Sequence, residues 1–147
     1  MTDLVASYFS FTGRLSRGQY WKRNLKLVFY SLASCGFFLA IVIELFPLEI
    51  PIIAKLFGVA IIMTPLLSTF SLYVRRLHYR RKSGWWIFPF YIIPQINSAV
   101  DITLYNSLPL FAVSIAVSIL GIWGFVETGF LRGRNEPNAY GDDPLAT

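Results

Sequence analysis

The sequence predicts an all-α polytopic membrane protein, a bundle of four transmembrane helices with cytoplasmic N- and C-termini. Three observations predict it. The chain has 147 residues, of which 55% are hydrophobic, 17% aromatic and only 14% charged, whereas a soluble domain carries about 25% charge. A chain of this length has too few charges to cover so much apolar surface in water, and the same composition excludes disorder. The apolar residues gather in four runs, and the basic residues gather between them. Residues 1–147 are read as a single integral membrane domain.

A helix needs about 20 apolar residues to cross the ~30 Å hydrocarbon core. The first run is Leu27 to Phe46, and the helix is expected over 17–46. Ser16-Arg17-Gly18-Gln19 fits an S-x-x-Q capping box, which starts the helix near Arg17, partly in the headgroup zone. Tyr20 and Trp21 suit the interfacial aromatic belt, and Lys22, Arg23 and Lys26 can snorkel. Leu32-Ala33-Ser34-Cys35 looks like a bacterial lipobox, but apolar residues continue past the cysteine, so Cys35 is read as lying inside a membrane helix.

The second run, Pro51 to Tyr73, predicts a helix over 51–76. Pro51 sits in its first turn, where a missing N–H costs nothing. Pro65 falls mid-run and is expected to kink the helix, with Thr64, Ser68 and Thr69 available to satisfy freed backbone groups. The third run, Trp85 to Val100, has 16 residues, or roughly 24 Å of helix. It contains Pro89, Pro94, Gln95 and Asn97. It must extend over 84–104, thin the bilayer, or dip in and return. Ser83 is its expected N-cap, and Trp85 and Trp86 form a second aromatic belt. The fourth run is Leu108 to Leu131, with Pro109 in its first turn, Glu127 about one turn inside its end, and a tail over 132–147.

Orientation follows from charge. Of 13 lysines and arginines, only Lys55 falls outside residues 1–26, 74–84 and 131–147. The positive-inside rule puts those three segments in the cytoplasm, and four crossings satisfy it. The same rule accounts for the net charge of +5, so no nucleic-acid partner is expected.

Several short stretches are dense in marked residues: Phe11 to Trp21 (FTGRLSRGQYW), Arg75-Arg76-Leu77-His78, Ser83-Gly84-Trp85-Trp86, and Asn138 to Pro144 (NAYGDDP). In this order and over almost the whole chain they resemble the YhaH-like family of bacterial inner-membrane proteins, domain of unknown function 805. The resemblance implies a multi-helix protein of the bacterial inner membrane with no established activity. Tyr79 stands where that family's pattern has an acidic residue after the histidine, so no His–Asp pair forms at this position.

The candidate binding face gathers Arg14, Arg17, Trp21, Arg75, Arg76, His78, Ser83, Trp85, Trp86, Glu127, Asn138, Tyr140, Gly141 and Asp142. In one reading its arginines tie loop and tail together through Asp142, Asp143 and Glu127, with Glu127 paired to Arg75 or Arg76. In the other they grip phosphate, for which arginine's planar fork of donors is suited. Anionic lipid headgroups are the expected phosphates. A partner membrane protein or a second copy of the chain is the other expected occupant. The tail from Asn138 to Pro144 carries turn chemistry and is expected to dock on residues 13–21 and 75–86, with Asp142 meeting an arginine.

No catalytic residue, metal site or cofactor is expected. His78 is the only histidine and Cys35 the only cysteine, and neither phosphate loop nor metal-ligand spacing appears. The expected role is a non-enzymatic membrane module. A subunit of a small-solute or ion transporter or channel is the alternative, favoured by Pro65, Pro89 and Pro94. An enzyme acting on lipid phosphates comes third.

Overall fold

The computed structural model describes residues 7–46, 49–100, 107–134, 136–142 and 144–145. Among them the fold is all-α. Helices α1 (Arg17–Leu45), α2 (Ile52–Tyr79), α3 (Ile93–Ala99) and α4 (Leu108–Gly129) are joined by a 3-10 turn (Gly84–Trp86) and a π-helical stretch (Phe88–Ile92). Three of these, α1, α2 and α4, are long and apolar enough to cross a membrane. Their large apolar side chains point outward; Leu32, Phe37 and Ile43 are each 70% exposed. Such a surface is stable against lipid tails and costly against water.

The described chain forms two compact units. One comprises the described residues within 1–11 and 21–72, the other those within 12–20 and 73–147. In the first unit, hydroxyls within the apolar helices bond to their own backbone. Ser31 Oγ donates to the Leu27 carbonyl at 2.6 Å and Thr64 Oγ1 to the Ala60 carbonyl at 2.8 Å. No other partner is needed in hydrocarbon. The α2 helix is continuous through Pro65, and Ser68 Oγ donates to the Thr64 carbonyl at 2.9 Å. Arg23 Nη1 donates to the Ser7 carbonyl at 2.8 Å, and Ser71 Oγ to the Ser10 carbonyl.

The second unit inverts the usual pattern. Its buried residues include Arg14, Leu15, Ser16, Arg76, Leu77 and His78 of the marked motifs, with Tyr79, Glu127 and Thr128 beside them. The α1 start is a reciprocal capping box. The Ser16 N–H donates to Gln19 Oε1 at 3.3 Å, and the Gln19 N–H to Ser16 Oγ at 3.4 Å.

The α2 helix runs to Tyr79, three residues beyond its expected end, and so carries Arg76 and His78 in its last turn. It stops in a Schellman motif. The Lys82 N–H reaches the Leu77 carbonyl at 3.0 Å, the Arg81 N–H reaches the His78 carbonyl at 3.0 Å, and Arg81 takes φ +59°.

The third run is expected as a helix over 84–104 and is helical at every residue from Gly84 to Ala99, but its geometry changes from 3-10 through π-helical to the seven residues of α3; residues 101–104 lie outside the described residues. Prolines account for the departures from α geometry, because each lacks an N–H and clashes with the preceding turn. Pro89 lies in the first turn of the π-helical stretch and Pro94 in that of α3. The pieces lie against α4 at two glycines. A Cβ on Gly121 would stand 2.8 Å from Pro94 Cβ, and one on Gly124 would stand 2.9 Å from the Phe90 carbonyl oxygen. Asn97 Nδ2 bonds Ser114 Oγ at 3.1 Å across the α3–α4 contact.

Candidate functional site: an arginine clamp on the C-terminal tail

The second unit is organised by guanidinium groups that grip main-chain carbonyls. A helix leaves its last carbonyls without intrahelical donors, and Arg76 supplies them at the end of α4. Its Nε donates to the Thr128 carbonyl at 2.7 Å and its Nη2 to the Leu131 carbonyl, while Nη1 reaches the Leu15 carbonyl at 3.4 Å. Arg76 is wholly buried in this role. The Leu15 N–H donates in turn to the Arg75 carbonyl at 3.1 Å. Arg17 Nη1 takes the Phe130 carbonyl at 3.1 Å.

Arg14 does the same for the tail. Its Nη1 donates to the carbonyls of Glu136 at 2.9 Å and Gly141 at 3.1 Å, and its Nη2 to that of Arg134. The Arg14 and Arg76 guanidinium carbons lie 4.9 and 5.4 Å from the centroid of the buried Tyr79 ring.

The tail folds into a turn. Asn138 and Gly141 exchange backbone bonds at 3.3 and 3.0 Å, and Gly141 sits at φ +117°, a region open to glycine. The Tyr140 N–H donates to Asn138 Oδ1 at 2.9 Å, an Asx-turn. Asn138 Nδ2 donates to the His78 carbonyl at 3.0 Å. The His78 and Tyr140 rings stack with centroids 3.8 Å apart and planes 2° from parallel. His78 Nδ1 lies 3.2 Å from the Gly13 carbonyl; a carbonyl only accepts, so the bond assigns the proton to Nδ1. Gly13 itself needs φ +84°.

Carboxylates play a smaller part. Buried Glu127 Oε1 accepts from Arg80 Nε at 3.0 Å and stands 3.6 Å from Lys82 Nζ. Lys82 Nζ lies over the rings of Trp86 at 4.4 Å and Phe90 at 5.1 Å. Arg81 pairs with Glu136 at 2.6 Å at the surface. Arg14, Arg17 and Arg76 thus hold neutral carbonyls, and their positive charge is not cancelled by these contacts.

Two expected pairings are corrected. Glu127 pairs with Arg80 and Lys82, not with Arg75 or Arg76, and Arg76 is committed to the α4 carbonyls. Asp142 is exposed, and among the described residues no ion pair joins it to an arginine. Arg14 grips the neighbouring Gly141 carbonyl instead. Asp143 lies outside the described residues.

Ser83 stands at the N-cap of the 3-10 turn without a side-chain cap bond. Trp85 is exposed and stacks on Phe88 with centroids 5.4 Å apart. Trp21 belongs to the first unit, where it is partly exposed on α1. Tyr79, Arg80, Lys82, Thr128 and Gly133 were not read as site residues from sequence. Arg80 and Lys82 hide within a basic cluster whose membership topology alone explains, and Gly133 looks like a linker between two arginines.

A pocket of about 290 Å3 opens in this unit, lined by Ser16, Arg17, Gly18, Tyr79, Arg132, Gly133 and Leu145. Among the described residues no three His, Cys, Asp or Glu side chains group as a metal ion would require.

A family model described as a protein of unknown function, DUF805, matches residues 8–142, which include the site from Gly13 to Asp142. No curated protein matches the chain, and no solved structure matches it.

Proposed function

We infer, since the chain belongs to the DUF805 family of proteins of unknown function, that it is a non-enzymatic module of the bacterial inner membrane that binds anionic lipid headgroups through a basic cytoplasmic face. The observation that carries this reading is the nature of the arginine contacts. Arg14, Arg17 and Arg76 donate to uncharged carbonyls, so the face stays electropositive while it is rigidly held. Each basic residue near a bilayer adds about 1 kcal/mol of attraction for anionic lipid.

The proposed topology has four crossings with both termini in the cytoplasm. The distribution of basic residues, all but Lys55 on one side, supports it. Residues 84–99 form the short third crossing. Against catalysis, His78 is buried, bonded through Nδ1 to Gly13 and covered by the Tyr140 ring, which leaves the sole imidazole poorly placed to meet a substrate.

The test is extraction in native-lipid particles and mass spectrometry of what is retained. Phosphatidylglycerol or cardiolipin enriched over the bulk membrane is the expected result. Lipids in bulk proportions beside a stoichiometric second protein would overturn it in favour of a protein partner.

One observation favours transport as a second reading. The third run changes from 3-10 to π to α geometry around its prolines, and π-helical turns within helices occur frequently at functional sites. Ion or solute flux in proteoliposomes above that of protein-free vesicles would support it.

A further inference from the structure

We propose that the pocket between Arg17, Arg132 and the first turn of α1 is a binding site for a single phosphate group, a proposal that deepens the anionic-headgroup reading and rests on it. Four features converge there. The first is charge. Among the described residues, two of the seven that line it are arginines and none is acidic, and the Arg14 guanidinium lies over the Tyr79 ring that forms one wall.

The second is donor capacity. Among the described residues the Arg17 side chain makes one hydrogen bond, from Nη1 to the Phe130 carbonyl, which leaves most of its fork of five N–H groups for a ligand. The backbone of Arg132 is fixed through its carbonyl, which accepts from Arg80 Nη1. Among the described residues the Arg132 side chain makes no hydrogen bond or ion pair.

The third is the helix end. The N–H groups of Arg17 and Gly18 have no intrahelical acceptor, and Ser16 Oγ is already engaged with the Gln19 N–H. The fourth is space. Gly18 presents no side chain to the pocket, and a Cβ there would meet nothing within 4 Å. Two arginines and a helix N-terminus lining one cavity offer the donors that the oxygens of a phosphate need. A lipid headgroup and a soluble phosphate ester share that group.

The experiment uses the full chain in a phosphate-free non-ionic detergent. Ligand-observed 31P NMR is recorded with three probes: inorganic phosphate, glycerol 3-phosphate and dihexanoyl phosphatidylglycerol. Arg132→Gln removes a donor from the pocket. Gly18→Glu puts a carboxylate into it, at a helix start where an acid favours folding. Lys22→Gln is the control, equal to Arg132→Gln in net charge but outside the lining.

Binding of at least one probe is expected, weakened about tenfold by each pocket variant, the scale of losing a charged hydrogen bond, and less than about twofold by the control. Binding of dihexanoyl phosphatidylglycerol alone identifies a lipid headgroup. Binding of all three identifies the phosphate group whatever its source. No binding of any probe, or equal loss in Lys22→Gln and Arg132→Gln, overturns the site. Anionic lipid enrichment in native particles that persists in both pocket variants would leave the basic-face reading standing while the pocket fails. Probe binding without enrichment would do the reverse.

Discussion

The α-carbon of Gly133 lies so close to the ring of Tyr79 that any side chain at 133 would have to occupy the ring's place. The Arg134 N–H then meets the Tyr79 carbonyl at 3.3 Å, and the tail continues over the buried ring. Gly133→Ala is therefore expected to lift the tail from the unit at a cost of about 2 kcal/mol, typical of overpacking. Limited proteolysis after residue 131 reads this directly. A cleavage rate equal to that of the unmutated chain would show that the contact relaxes.

Asn138 and Asp142 are neighbours in one turn with opposite expected sensitivities. Asn138→Ala removes the bond to the His78 carbonyl and the Asx-turn to the Tyr140 N–H, each worth about 1 kcal/mol. Amide exchange over residues 138–141 should accelerate roughly tenfold or more. Asp142→Asn should leave it unchanged. Acceleration in the Asp142 variant alone would reverse the assignment.

Glu127 balances two cations from inside the unit. Glu127→Gln leaves Arg80 and Lys82 beside a neutral amide. Their side chains are 23% and 27% exposed, so water relieves part of the penalty that a fully buried pair would suffer. A destabilisation of about 2 kcal/mol is expected, below the range for complete burial. It should appear as a lower Tm in detergent, and an unchanged Tm would mean that the two cations need no counter-charge.

Two helical glycines separate packing from propensity. Gly124→Ala drives a methyl group against the Phe90 ring and carbonyl and should destabilise by about 1–3 kcal/mol. Gly36→Ala meets nothing within 4 Å and should be neutral or gain up to about 1 kcal/mol. Thermal unfolding of the pair decides between them, since equal effects would leave the close approach at Gly124 without energetic weight.

Topology is open to a labelling experiment in intact cells. In a Cys35→Ala background, cysteines replacing Glu49 and Ser107 should react with a membrane-impermeant thiol reagent. Those replacing Arg81 and Leu145 should not. Labelling at 145 without labelling at 107 would replace four crossings with three.

The apolar runs were legible because each is a property of neighbouring residues. Composition located α1, α2 and α4, and Ser16 with Gln19 announced the α1 start. The third run was half legible. Pro89 and Pro94 point to a departure from α geometry, but the π-helical stretch lies where Gly121 and Gly124 let α4 approach, which no local pattern encodes. In the site, the turn at Asn138–Gly141 followed from its own residues. The arginine partners did not. Sequence pairs charges with charges, and a carbonyl is invisible as a partner because every residue has one. Sequence alone therefore matches Glu127 to Arg75 or Arg76 and Asp142 to an arginine, although the Arg14 and Arg76 side chains reach the main chain.

That choice of acceptor bears on how freely the tail sequence can change. Arg14 holds residues 134, 136 and 141 by atoms that any amino acid would provide. The clamp recognises the path of the chain rather than its spelling. Substitutions at Arg134 or Glu136 that keep this path should leave the tail seated, and Arg14 itself is the irreplaceable half, since lysine has a single ammonium where three divergent carbonyls need a fork. The tail can then be respelled without being rebuilt.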